Sequence, residues 1–224
     1  MIIKTFIEPP IDNNNYLIID EETLEAALID CSAIDIWDKI KLREGKVAVT
    51  TSGNCRGEIS GMKLKYILLT HGHFDHIAGI RPEIYLSEYS EKIQVVMHKA
   101  DLGWLKKVNQ FMPMFGMPEM TVPTVDRFVE DGDIIKLGNL DIKVIHTPGH
   151  TQGGVCYYVD GKLFSGDTIF KESVGRCDLE GGDFEQIVSS IENKIYNLPE
   201  ETEIYPGHGK PTTIEWEKLH NRYL

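Results

Sequence analysis

Cysteine is scarce in this chain, and what there is lies scattered. Cys31, Cys55, Cys156 and Cys177 form no Cys-x-x-Cys pair. So few cysteines in a chain of 224 residues exclude a disulfide framework and lead us to expect a reducing, cytoplasmic compartment. Long apolar runs are lacking too, since nothing approaches the roughly 20 residues that span a bilayer. The opening Met1-Ile2-Ile3-Lys4-Thr5-Phe6 has neither the apolar core nor the small-residue cleavage site of a signal peptide, and reads as a first strand. Basic residues are outnumbered, 23 Lys and Arg against 35 Asp and Glu, for a formal charge of −12. Such a surface repels phosphate backbones and anionic bilayers, which sets nucleic acid and membrane aside as partners. A small anionic substrate stays admissible, because bound cations invert the local field. Low-complexity segments and short-period repeats are absent as well.

What is present is an ordinary globular composition, 42% hydrophobic, with 20 Gly and 10 Pro marking an ordered, loop-rich chain. One domain over residues 1–224 is expected, with self-association left open. Ile2–Ile7, Tyr16–Asp20 and Ala26–Asp30 read as short strands separated by Pro, Asn and acidic turns. Ser32 is placed to cap a helix over Ala33–Leu42, with Gly45 closing it. Tyr66–Thr70 is a continuous apolar run, as a buried strand requires. Val95–His98 reads as a strand and Ala100–Lys107 as a short helix. The Met- and Pro-rich stretch Asn109–Pro123 is too interrupted for a regular helix and is expected to pack over the core or over a pocket, with core packing preferred. Then come strands at Ile134–Leu137, Leu140–His146, Gly154–Val159 and Leu163–Ser165, a helix over Phe184–Tyr196 and a last strand at Glu203–Tyr205. Strands and helices thus fall into two similar halves. That predicts an α/β sandwich with its loops gathered at one edge.

The segment His71-Gly72-His73-Phe74-Asp75-His76 packs three imidazoles and a carboxylate into six residues, directly after the buried strand. His71 and His73 alternate, so they can face one side; Asp75 and His76, beyond a bend, can face another. Imidazole suits zinc, iron and other borderline ions, and a carboxylate adds charge. Gly72 would let the backbone pass close to a metal. Three later turns repeat the design of strand, small residues and donor: Thr147-Pro148-Gly149-His150-Thr151, Ser165-Gly166-Asp167-Thr168 and Tyr205-Pro206-Gly207-His208-Gly209. Each turn alone is ordinary, but the recurrence at four strand ends points to a metal centre. His98, His146 and His220 fall outside these motifs and are read mainly as packing residues.

These segments resemble the metallo-β-lactamase superfamily, in the order that family uses and over nearly the whole chain. Within it the chain is similar to the short glyoxalase-II-like hydrolases, through Thr147–Thr151, Gly166–Phe170, Val174-Gly175-Arg176 with Asp178, Gly181-Gly182-Asp183, Tyr205–Gly209 and Thr212-Thr213-Ile214. The resemblance implies a four-layer αβ/βα sandwich. It implies that His71, His73 and His150 hold one divalent metal, that Asp75, His76 and His208 hold a second, and that Asp167 bridges them. Zinc is the first choice, with iron or manganese as alternatives. The implied activity is that of a hydroxyacylglutathione hydrolase-like thioesterase acting on a small-molecule thioester through a metal-bound hydroxide, with Asp75 orienting or deprotonating the water. Arg176 is the candidate for an anionic substrate group, weighed equally against a loop-fixing role. Two other activities of the fold stay open, a mononuclear iron persulfide dioxygenase using His71, His150 and Asp167, and a lactone or phosphodiester hydrolase. Full-length glyoxalase II enzymes grip glutathione with a helical extension, and here sixteen residues follow His208, so the expectation leaves the thiol carrier open.

Overall fold

The computed structural model describes residues 1–8, 12–32, 36–40, 46–50, 58–81 and 92–224. Two sheets carry the fold. The first contains β1 (Ile2–Glu8), β2 (Asn13–Ile19), β3 (Glu25–Ile29), β4 (Lys46–Thr50), β5 (Glu58–Leu68), β6 (Gln94–His98) and β7 (Arg127–Val129). Its order is β1-β2-β3-β5-β6-β7, with β4 paired to β5. The second contains β8 (Ile134–Leu137), β9 (Leu140–His146), β10 (Val155–Val159), β11 (Lys162–Gly166), β14 (Glu203–Pro206) and β15 (Thr212–Thr213), ordered β15-β14-β11-β10-β9-β8. A small hairpin, β12 (Ile169–Phe170) with β13 (Ser173–Val174), follows β11.

The layers follow from side-chain alternation. All seven residues of β2 are buried, so both faces of the strand must be covered. Leu17 and Ile19 join Trp37, Ile40, Leu105 and Val108 outside the first sheet, whereas Tyr16 and Ile18 join Ile142, Val144, Tyr157 and Phe164 between the sheets. The helices supply the outer covers: α1 (Ile36–Ile40), α2 (Phe74–Ile77) and α3 (Leu102–Phe111) on the first sheet; α4 (Phe184–Ser190), continued by a π turn at Ile191–Ile195, and α5 (Ile214–His220) on the second. Ile187, Ile191, Ile195 and Ile214 seat on Ile145, Leu163 and Ile204 of the second sheet. The result is the expected four-layer αβ/βα sandwich. Asp183 and Thr213 cap α4 and α5 by accepting from the backbone N–H of Gln186 and Trp216.

Three local expectations change. Asn13–Asn15 are strand residues of β2 rather than a turn; asparagine is poor in strands, but these amides brace neighbouring loops. The helix expected over Ala33–Leu42 is described only at Ile36–Ile40; residues 33–35 and 41–45, Gly45 among them, lie outside the described residues, as does Cys55. Ser32 bonds to Asn15 through both its N–H and its hydroxyl. Finally, α3 extends to Phe111, so the start of the Met-rich stretch is helical. A 3-10 turn, Met112–Phe115, then takes over, with Pro113 in its first positions, where no N–H is required. That stretch divides its apolar residues: Met112 is buried in the core, with Met117 and Met120 packed against it, while Phe111, Met114 and Phe115 line a cleft.

Candidate metal centre

Four strand ends converge at one edge of the sandwich. β5 delivers His71 and His73, β9 leads to His150, β11 to Asp167 and β14 to His208. His73 precedes α2 with an extended backbone, φ −72° and ψ 150°; the helix then turns Asp75 and His76 away from it. Three overlapping donor groups form: His71 with His73 and His150, and Asp75 with His76 and His208, share no residue, and a third, His71 with His76 and Asp167, links them. Within each, the candidate ligand atoms lie within 4.8 Å of one another. Asp167 stands between the two, its carboxylate 3.3 Å from His76 Nε2, 3.6 Å from His150 Nε2 and 3.7 Å from His208 Nε2. His71 also approaches His76, their rings 4.0 Å apart.

The surrounding hydrogen bonds fix which ring nitrogen presents a lone pair. Thr70 has one hydroxyl proton, and Asp30 Oδ2 takes it at 2.9 Å. His71 Nδ1, 3.1 Å from that oxygen, is therefore the donor, and its Nε2 carries the lone pair. His150 Nδ1 donates to the Arg176 carbonyl at 2.7 Å, which leaves Nε2 facing His73. His76 Nδ1 donates to Asp30 Oδ2 at 2.7 Å, so its Nε2 also looks inward, with the Asn13 amide 2.9 Å away. Carboxylates and carbonyls that orient imidazoles in this way are the usual outer support of metal-binding histidines.

The donor set fits divalent metal ions. His71 Nε2, His73 Nε2 and Asp167 Oδ1 are buried with no hydrogen-bond partner among the described residues. Buried polar atoms are nearly always satisfied, at a penalty of about 1–3 kcal/mol each when they are not. Such acceptors are what a cation would satisfy, and His71 shares one donor group with His73 and another with Asp167.

Electrostatics separate the groups. Burial, reinforced by the neighbouring imidazoles, pushes His71 well below the usual histidine range and His73 down to about 3. Burial also opposes charge on His76 and His208, but carboxylates outweigh it: Asp30, Asp167 and Asp75 hold His76 well above the usual range, and Asp75 and Asp167 raise His208. In return, although burial acts the other way, His76 and the neighbouring imidazoles lower Asp75 and Asp167.

Close approach dictates several glycines, Gly207 and Gly72 among them. A Cβ on Gly207 would lie 2.3 Å from Asp167 Oδ1 and 2.8 Å from His76 Cε1. One on Gly72 would lie 2.8 Å from the Asp101 carbonyl and from Trp104 Cβ, so this glycine serves the packing of its loop on the start of α3. Asp101 itself is fully buried and ties the ligand-bearing loops together, accepting from Gly72 N–H, Thr151 hydroxyl and Gly153 N–H at 2.7–2.9 Å. Asn14 clamps the His208 loop through the Pro206 and Gly209 carbonyls. The sequence reading passed over Asp30, Asp101, Asn13 and Asn14. Arg176 does line the cleft, and its guanidinium holds Asp178 in a two-point pair at 2.7 Å. His98 and His146 stack on each other 4.2 Å apart, and His220 stacks on Trp216 at 4.0 Å; none of the three lines the cleft.

Fold and donors together define a metalloprotein of the αβ/βα sandwich class, and comparison with known proteins narrows this. A model of the metallo-beta-lactamase superfamily matches residues 10–208. The chain is 33% identical over 166 residues to the hydroxyacylglutathione hydrolase GloC of Haemophilus influenzae, across 73% of this chain and 77% of that one. The crystal structure of the BLEG-1 B3 metallo-beta-lactamase superposes with a TM-score of 0.78 at 32% identity, covering 100% of this chain and 99% of that one. TTHA1623 in a di-iron-bound form gives 0.75 at 28%, covering 99% and 100%. This chain belongs to the metallo-β-lactamase superfamily and is a metallo-hydrolase of that superfamily. Among the described residues, no helix is long and apolar enough to cross a membrane.

Proposed function

We propose that the protein is a thioester hydrolase of glyoxalase II type, with two divalent metals held by His71, His73 and His150 and by Asp75, His76 and His208, and with Asp167 shared between them. The observation that carries this reading is the set of unpartnered, buried lone pairs on His71, His73 and Asp167, the last two of which line a cleft of about 630 Å³. The named activity of the Haemophilus relative supports it. When bound, such metals supply the Lewis acidity that acidifies water and polarises a carbonyl.

The chain's own groups do the rest. Asp75 lines the cleft, its Oδ2 3.4 Å from His208 Nε2, where its carboxylate can accept a proton from the attacking water. Water adds to the acyl carbon, the C–S bond breaks, and the products are a carboxylate and a thiol. A thiol pKa of about 8.5 lets the sulfur leave as thiolate, so no strong general acid is needed.

The test is elemental analysis of the native protein followed by a thioester and persulfide panel. Two metals per chain and thioester cleavage abolished by chelation are expected. Full activity after metal depletion, or in His73→Ala, overturns the reading. One iron per chain with oxygen uptake on glutathione persulfide overturns it in favour of a dioxygenase.

A further inference from the structure

The cleft above the donor groups has a wall built from a chain of aromatic rings. It begins at His73, whose ring meets Trp104 edge-on at 4.6 Å. Trp104 tilts onto Phe111 at 5.7 Å, Phe111 lies parallel to Phe74 at 6.5 Å, and Phe74 stacks on Phe115 at 4.4 Å. Met114 extends this surface at the mouth. Met114 is 79% exposed and Phe115 45% exposed, which is a large apolar area to leave in water without a ligand.

Two cations at or near the mouth, among the described residues, are already paired. Arg176 is the only lysine or arginine among the described lining residues, and Asp178 engages it at two points. Lys107, which reaches over the Trp104 ring, is taken by both carboxylate oxygens of Glu180 at 2.8 Å. A substrate with several carboxylates would have to compete for these cations in a chain of charge −12. An uncharged hydrocarbon arm has no such competitor.

We propose that the substrate carries an extended apolar acyl group, alkyl or aryl, that lies along the Trp104–Phe111–Phe115 wall and delivers its carbonyl to the metal floor. The proposal rests on the thioester reading only for the identity of the bond cleaved. Each methylene laid on the wall removes apolar surface from water, and full burial of one is worth about fourfold.

Two measurements test it with the metal-loaded protein. In the first, kcat/KM is measured for S-acyl-N-acetylcysteamine thioesters from acetyl to decanoyl. It should rise with each methylene, by up to about fourfold, until the wall is covered. In the second, isothermal calorimetry follows butanoate, hexanoate, octanoate and decanoate, the carboxylate products. Their affinity should climb with a similar slope and a negative heat-capacity change. Met114→Ala and Phe115→Ala remove exposed side chains and should flatten both slopes. Leu219→Ala, an exposed apolar residue outside the cleft, should leave them steep. A flat calorimetric series in the wild type overturns the proposal, as do slopes that survive the Met114/Phe115 double variant. If the carboxylates show the slope and no thioester is turned over, the apolar arm stands and the thioester reading falls.

Discussion

The two donor groups look alike in number, three side chains each, and differ in everything that governs protons. His71, His73 and His150 are buried and surrounded mainly by other imidazoles, so the site disfavours protonation of His71 and His73. Asp75, His76 and His208 mix carboxylate with imidazole, and Asp30 lies behind His76, so that site favours the imidazolium. His71 and His73 of the first group offer lone pairs to a cation with no proton to displace in the neutral range. His76 and His208 of the second must release protons as a metal enters, so that group's affinity should climb with pH in the neutral range. Placing both within reach of Asp167 gives one carboxylate to groups of opposite preference.

The largest expected effect breaks this comparison in the metal-depleted protein. His73 titrates near 3 when folded and near 6.5 when unfolded, so the unfolded chain binds the extra proton between those values. Its neutral form is matched to the fold above pH 6.5, and stability is lost as pH falls towards 3, by on the order of 5 kcal/mol in total. His208 has the opposite sign. Its raised folded value gives stability that is present below about 6.5 and lost as pH rises through the folded pKa. Urea unfolding of chelated protein between pH 7.5 and 4 should therefore show His73→Gln gaining on wild type as acid is added, while His208→Gln falls behind. Differences that do not vary with pH would show that the two groups are electrostatically equivalent after all.

Next in size is the group that joins them. Asp167→Ala removes the carboxylate facing His76, His150 and His208 together. Loss of metal from both groups and a fall in turnover of about a thousandfold or more are expected. Retention of one tightly held metal, seen by elemental analysis, would show that the first group needs no bridge.

The support behind the histidines comes third. Asp30 accepts from His76 Nδ1 and Thr70 hydroxyl, and through Thr70 it orients His71 as well. Asp30→Asn keeps the volume and removes the charge. A loss of about 10–100-fold in metal affinity is expected, the range that outer partners of metal-binding residues contribute. The comparison sharpens if the loss falls mainly on the second metal, because His76 contacts Asp30 directly and His71 only through Thr70.

How far the sequence shows these features depends on how local each one is. The six-residue run at His71–His76 and the turns at His150, Asp167 and His208 are legible because donor and turn chemistry sit side by side. The helix at Phe184 is legible from its helical spacing of apolar residues, and β9 and β10 as short strand-like runs. Asp30, Asp101 and the Asn13–Asn14 pair are not. Asp30 reaches partners 40 and 46 residues away, and Asn14 reaches across 192 and 195. In sequence each is merely a polar residue near a strand end. Phe111 and Phe115 gave a partial signal, a Pro-broken apolar stretch, but no period told which side faced the core and which the cleft.

The smallest effect concerns Arg176, and it separates a backbone contribution from a side-chain one. The first donor group uses the Arg176 carbonyl, which fixes the His150 tautomer. Its guanidinium is more than half exposed and already engaged by Asp178. An exposed pair of this kind is worth about 0–1 kcal/mol. Arg176→Gln keeps the carbonyl, so metal content should be unchanged, and turnover of an uncharged acyl thioester should shift by no more than about fivefold. A matched pair of substrates, one neutral and one with a carboxylate on the acyl arm, makes the measurement decisive. If KM for the carboxylate substrate alone rises more than tenfold in the variant, the guanidinium leaves Asp178 to hold substrate, and the rim of the first group is an anion site. Equal small shifts for both would leave Arg176 as the residue that shapes its loop and aims His150.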